Sequence, residues 1–184
     1  MFHSIIRSLW MGWEAVFRFS CRVHPLNRDE QHLFLIARRR YLGKSFTVDG
    51  VTIRLFDPVI ELHMNNKLLV QLLRHQGLMG LAVRLVQETR RSMPILAETL
   101  NREKFHGVKA LYGVTFIHRH VERFGFQTFP IQQKLTERLF TWYLRQVFRA
   151  INPNASQLLA THREAFVPRI VAMSKDRLVT QFRV

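Results

Sequence analysis

The chain has 184 residues, 47% of them hydrophobic, with 15 Phe and 3 Trp against only 8 Gly and 6 Pro. That composition excludes a low-complexity or disordered chain and supplies material for one core, so a single domain over residues 1–184 is expected. Lys and Arg outnumber Asp and Glu 28 to 13, a net charge of +15 carried as +5 over residues 1–56, +2 over 57–104 and +8 over 105–184. The charge therefore belongs to the folded body and excludes a basic tail; either it serves solubility or it meets an acidic partner.

Met1 to Val23 is rich in Ile, Trp and Phe, but Arg7, Glu14 and Arg18 interrupt every apolar run long enough to cross a bilayer, and no cleavable leader pattern is present. A cytoplasmic protein is expected, with a peripheral place on the inner face of the membrane as the alternative. At helical spacing His3, Arg7, Glu14 and Arg18 share one stripe, with Phe2, Ile6, Trp10, Trp13 and Phe17 around the rest. This predicts an amphipathic helix that either packs on the domain's own sheet or lies in a membrane interface. The single cysteine, Cys21, excludes an internal disulfide and a cysteine metal cluster, and sits among Phe17, Phe19 and Val23 as a small buried hydrophobe would. His24 to Asp29 reads as a loop.

Leu33 to Arg38 predicts a strand, and Asp49-Gly50 between Ser45–Val48 and Val51–Leu55 predicts a hairpin. Asp57-Pro58 then breaks the chain before an extended segment, Val59 to His63, whose alternation puts Ile60 and Leu62 on one face and Val59, Glu61 and His63 on the other. Asn65 or Asn66 caps a helix to about His75, and a longer helix from Leu78 to Arg102 contains Pro94, which requires a kink or a restart. Val108 to Gly113 reads as a strand, Thr115 to Phe124 as a helix stopped by Gly125, and Phe126 to Phe129 as a strand. A helix follows from Ile131 to Ile151, with Lys134, Arg138, Arg145 and Arg149 in one arc and Leu139, Phe140, Tyr143 and Val147 opposite. Arg169 to Met173 can form a last strand, and Ser174 can cap a C-terminal helix through Phe182. The order of elements defines an α+β domain with a small mixed or antiparallel sheet, an N-terminal amphipathic helix and several packed helices.

The common catalytic signatures are absent: there is no Gly-rich phosphate loop, GxSxG elbow, HExxH or paired CxxC, and no metal or cofactor is expected. Two readings of Glu61 and His63 compete. On the same strand face, about 7 Å apart, the carboxylate can orient the imidazole and raise its basicity, as a catalytic acid–base pair requires; or both are simply the polar outer face of a strand. Tyr112-Gly113 before a helix can offer free amides to an anion, with Thr115 and Arg119 nearby, or can be only a turn. His118 and Glu122 would share a helix face, too few to hold a metal. Asn65 and Ser174 are each a ligand contact or a helix cap, Ser174 beside Lys175 being also the pattern of an activated nucleophile. The Lys134, Arg138, Arg145 and Arg149 stripe is a surface for phosphates or lipid headgroups, or a solvated face; base stacking on nucleic acid would need aromatics interleaved among those charges.

Three stretches, DPVIELHMNN at 57–66, LYGVTFIHRHVERFGF at 111–126 and AMSKD at 172–176, together resemble the YkoP-like family of bacterial proteins, and the N-terminal Trp-rich helix and the DG hairpin fit the same order. The resemblance implies a bacterial protein linked to the cell envelope, because similar domains occur attached to polysaccharide deacetylase domains. It directs interest to Glu61, His63, Asn65, Tyr112, His118, Arg119 and Ser174; His120 departs from the family pattern. This chain lacks the HxxxH pair with which deacetylases hold metal. The expected role is a non-catalytic binding or accessory domain that engages an anionic glycan precursor or an anionic lipid surface. An enzyme of envelope glycan or lipid metabolism working through Glu61 and His63 is the alternative, and a nucleic-acid-binding protein is a third reading.

Overall fold

The computed structural model describes residues 23–26, 32–75, 78–152, 155–161 and 166–183, and the expectations for the N-terminal helix, for Cys21 and for Asn27 to Asp29 lie outside them. A six-stranded sheet carries the chain. Its strands are β1 (His24–Pro25), β2 (Phe34–Arg40), β5 (Pro58–Met64), β6 (Ala110–Thr115), β7 (Gln127–Pro130) and β8 (Arg169–Ser174), in the order β1-β2-β5-β6-β8-β7. Every pairing is antiparallel except β5 with β6, so the sheet is mixed. A separate hairpin, β3 (Phe46–Val48) and β4 (Val51–Ile53), pairs Val48 with Val51 across a two-residue turn. Asp49 and Gly50 both have positive φ, 49° and 78°, as a type I′ turn demands.

The parallel pair requires a crossover, which α1 (Asn66–His75) and α2 (Leu78–Asn101) supply. Next come α3 (Lys134–Ile151), α4 (Ala155–Thr161) and α5 (Lys175–Gln181). The alternation read from β5 determines the layers. Ile36, Ile60, Leu111 and Met173 point to one side, where they meet Met93, Leu96 and Leu100 of α2 and Leu178 of α5. On the other side Val59, Ala110 and Ala172 lie under the hairpin's Val48 and Ile53 and against Tyr41. At roughly 25 cal/mol per Å² of apolar surface removed from water, these two clusters are the main source of stability.

The α+β class and the mixed sheet are as the sequence predicts, with three local corrections. His24 and Pro25 are paired to Ile36 and Leu35 as a short edge strand rather than forming a loop. The long helix runs through Pro94 as one segment, which excludes the restart; its buried Ser92 hydroxyl accepts the Leu33 amide at 3.2 Å. The helix expected over Thr115 to Phe124 does not form. Thr115 stays in β6 opposite Arg169 and its hydroxyl accepts the Ile117 amide at 2.9 Å, a local bond that competes with helix initiation. His120 then adopts a left-handed conformation, φ 64°, and only a short 3₁₀ turn, Val121–Phe124, precedes the left-handed Gly125. Among the described residues no helix is long and apolar enough to cross a membrane.

Candidate functional site

The row of polar side chains begins with a pairing. Glu61 of β5 stands opposite Ala37 of β2 on one side and Tyr112 of β6 on the other. Because Ala37 is small, Arg39, diagonal to Glu61 on the same face, reaches across. Arg39 Nε and His63 Nε2 each lie 3.6 Å from the same carboxylate oxygen, Oε2 of Glu61. These separations are too long for formed hydrogen bonds, and the imidazole contact is an ion pair only when His63 is protonated. Burial pushes the Glu61 carboxyl up, but His63 and Arg39 together outweigh it and hold the group below its ordinary value. Tyr112 is driven the other way: burial, and then the negative Glu61, raise its phenol well above the usual range. Tyr41 meets the Tyr112 ring edge-on at 5.5 Å. The row is a carboxylate flanked by the Arg39 guanidinium and the His63 ring, beside a protonated phenol. Such a carboxylate is a poor proton donor but can orient His63.

The remaining singled-out residues occupy other places. Asn65 is buried and caps α1: its Oδ1 accepts the Leu68 amide at 3.4 Å and its Nδ2 donates to the His32 carbonyl at 3.2 Å. Gly113 is within β6, not in a turn before a helix, and the anion-receiving amides expected there are strand amides instead. A Cβ at Gly113 would come 2.9 Å from the Leu62 carbonyl oxygen, so the glycine serves close approach of β5. His118 follows the end of β6 with its Nε2 buried and without a hydrogen-bond partner; burial and the neighbouring Arg169 lower its pKa. Arg119 beside it is exposed. With the helix gone, His118 and Glu122 have no common helical face.

Ser174 caps α5, its hydroxyl accepting the Arg177 amide at 3.1 Å, and its own amide donates to Asp49 Oδ2 at 2.8 Å. It pairs with Ala110, two positions back along β6 from Tyr112. The three motif stretches therefore lie side by side in the sheet, Glu61 opposite Tyr112 and Tyr112 opposite Ala172, with Ser174 two positions further along β8. Sequence reasoning missed Arg39 and Tyr41 at the row, and Asp49 as a hub; period-2 alternation in β2 signals that Arg39 shares a face with Ala37, but only the register shows that this face meets Glu61.

On α3, Lys134, Arg138 and Arg149 are exposed, while Arg145 is partly buried, its Nε buried without a hydrogen-bond partner. One expectation fails: Leu139, placed on the face opposite the cations, is 60% exposed, in line with Leu135 and Trp142 at 72% and 64%. The buried side of the helix is marked by Val147, and Phe148 packs against Phe166, which in turn meets Phe116 beyond β6. The outer arc of α3 thus combines three apolar side chains with three cations.

The chain thus combines a mixed sheet of this order with a partly buried acid–imidazole–phenol row on β5 and β6 and a Ser-capped last helix. The sequence matches the YkoP domain family over residues 3–182, and the chain belongs to that family. It is similar to a protein of Bacillus subtilis (strain 168) named Uncharacterized protein YkoP, 27% identical over 122 residues, which cover 65% of this chain and 67% of the relative. No solved structure matches significantly.

Proposed function

We propose that this chain is a non-catalytic binding domain of the cell envelope, working on the cytoplasmic side and taking an anionic glycan precursor or lipid headgroup on its basic surface. The observation that carries this reading is the outer arc of α3, where Lys134, Arg138 and Arg149 are exposed while the helix's one acid, Glu137, is only partly exposed. Guanidinium groups in such a row suit phosphate or carboxylate. The place at the envelope rests on the family resemblance to domains attached to polysaccharide deacetylases. The test is retention of the full chain by vesicles containing phosphatidylglycerol and by heparin, at low and high salt, for the wild type and for a variant with Lys134, Arg138 and Arg149 all changed to Glu. The wild type should bind at low salt and lose affinity as salt rises, and the variant should bind at least tenfold more weakly. Equal binding of the two proteins would sink the reading. A gel shift with nucleic acid tighter than either probe would replace it with the nucleic-acid alternative.

A second reading is favoured by the 3.6 Å approach of His63 to Glu61. In it the pair acts as base and orienting acid on an envelope glycan or lipid, with Tyr112 as a neighbouring donor. A lipid-linked glycan turned over by the wild type and not by His63→Gln supports it; no turnover by either protein counts against it.

A further inference from the structure

Two loops at the start of β5 form one unit that none of the readings above uses. The loop after β2 is held by the Tyr41 hydroxyl, which donates to the Lys44 carbonyl at 2.8 Å. The turn from Arg54 to Asp57 is closed by the Asp57 amide donating to the Arg54 carbonyl at 3.1 Å, and Asp57 Oδ2 accepts the Arg54 amide at 2.7 Å. The loops are joined by the Phe56 amide donating to the Tyr41 carbonyl and by the Tyr41 amide donating to the Asp57 carbonyl, while Arg40 Nη1 caps the Phe56 carbonyl. Every backbone group in those bonds is satisfied inside the protein.

This rigid frame displays apolar side chains outward. Leu42, Leu55 and Phe56 are all exposed, Phe56 to 60%. Phe56 also has φ 64°, at the position of the turn where glycine is preferred. A bulky aromatic in that conformation is strained, and the strain is not offset by burial of its ring. Around the apolar trio stand Arg40, Lys44 and Arg54, all exposed, and the turn's one carboxylate, Asp57, is already paired with Lys109 at 2.9 Å.

We propose that the tip formed by Leu42, Leu55 and Phe56 is a membrane-insertion site that enters the headgroup region of an anionic bilayer, its surrounding arginines and lysine meeting the phosphates. Charge complementarity identifies the partner as negative, and the paired backbone groups of Tyr41, Phe56 and Asp57 lower the cost of moving the turn out of bulk water. The inference goes beyond the α3 reading: α3 packs on α1, past the far end of β5, about 20 Å along the strand from this turn at 3.3 Å per residue.

The test is co-sedimentation of the full chain with vesicles of phosphatidylcholine alone and of phosphatidylcholine mixed with phosphatidylglycerol. The wild type should sediment with the mixed vesicles. Phe56→Gly should weaken that binding about tenfold, the effect of removing one buried aromatic anchor. Its melting temperature should hold or rise, because glycine accepts the φ that phenylalanine resists. Leu55→Ser, at a residue of ordinary φ in the same turn, should weaken binding similarly. Wild-type binding by both variants, or no wild-type binding to anionic vesicles, overturns the proposal. If the tip variants bind normally and the α3 charge-reversal variant does not, the tip fails and the α3 reading stands; the converse separates them the other way.

Discussion

Asp49 ties the hairpin to three other elements through one carboxylate. Its oxygens accept the Ser174 amide, the Gln127 side-chain amide at 3.0 Å and the Arg177 guanidinium at 2.6 Å, while its backbone sits in the left-handed turn. Burial opposes ionisation, but the bonds from Ser174 and Arg177 win and lower its pKa. Asp49→Asn keeps the shape and the turn preference, so it isolates the charge. It should cost about 1–2 kcal/mol at pH 7. The sign with pH follows from the lowered value: the wild-type advantage is complete above about pH 3.9, the unfolded carboxyl's range, and fades as pH falls through the folded value. Urea denaturation of both proteins from pH 7 to pH 3 should therefore show converging stabilities on the acid side. Glu61 behaves with the same sign, its charged form being favoured by His63 and Arg39.

Among the elements, α5 depends on the residue that precedes it more than on its length. Seven residues form a marginal helix unless packed and capped, and Ser174 supplies the cap while Leu178 is buried against Met93 and its neighbours. Ser174→Ala should lower stability by about 1 kcal/mol, readable as a shift of the denaturation midpoint without a change of slope. A nucleophilic serine would tell differently, losing activity without losing stability. Much of this was legible in the sequence: alternation in Val59 to His63 placed Glu61 and His63 on one face, Asp49-Gly50 announced the hairpin, and Ser174 had the pattern of a cap. Thr115 to Phe124 misled because its apolar spacing matches a helix, whereas pairing with β8 and the left-handed His120 decide the outcome. On α3 the charge pattern was readable, but which apolar side chains would be covered was not. Leu139 and Val147 look equivalent until the neighbouring elements are in place, and the partners of β2 and β5 are likewise set by register rather than by either strand alone.

For the whole molecule, the exposed cations among the described residues lie on separate surfaces rather than in one patch. The cations at the start of β5 and those on α3 belong to different ends of the sheet, while Arg39 is committed to Glu61. The brevity of β1 has an effect of its own. It pairs only with Leu35 and Ile36, so among the described residues no strand covers the outer margin of β2 from Ala37 to Arg40. Unpaired strand margins recruit foreign chains, and proteins guard them with charge. Arg38-Arg39-Arg40 puts three cations on that margin, a charge that would repel a second copy pairing there in register. Replacing Arg38 and Arg40 with Thr, a good strand former, should make refolding at micromolar concentration scatter light where the natural chain stays clear. Part of the excess positive charge would then be a safeguard against self-assembly, independent of any ligand.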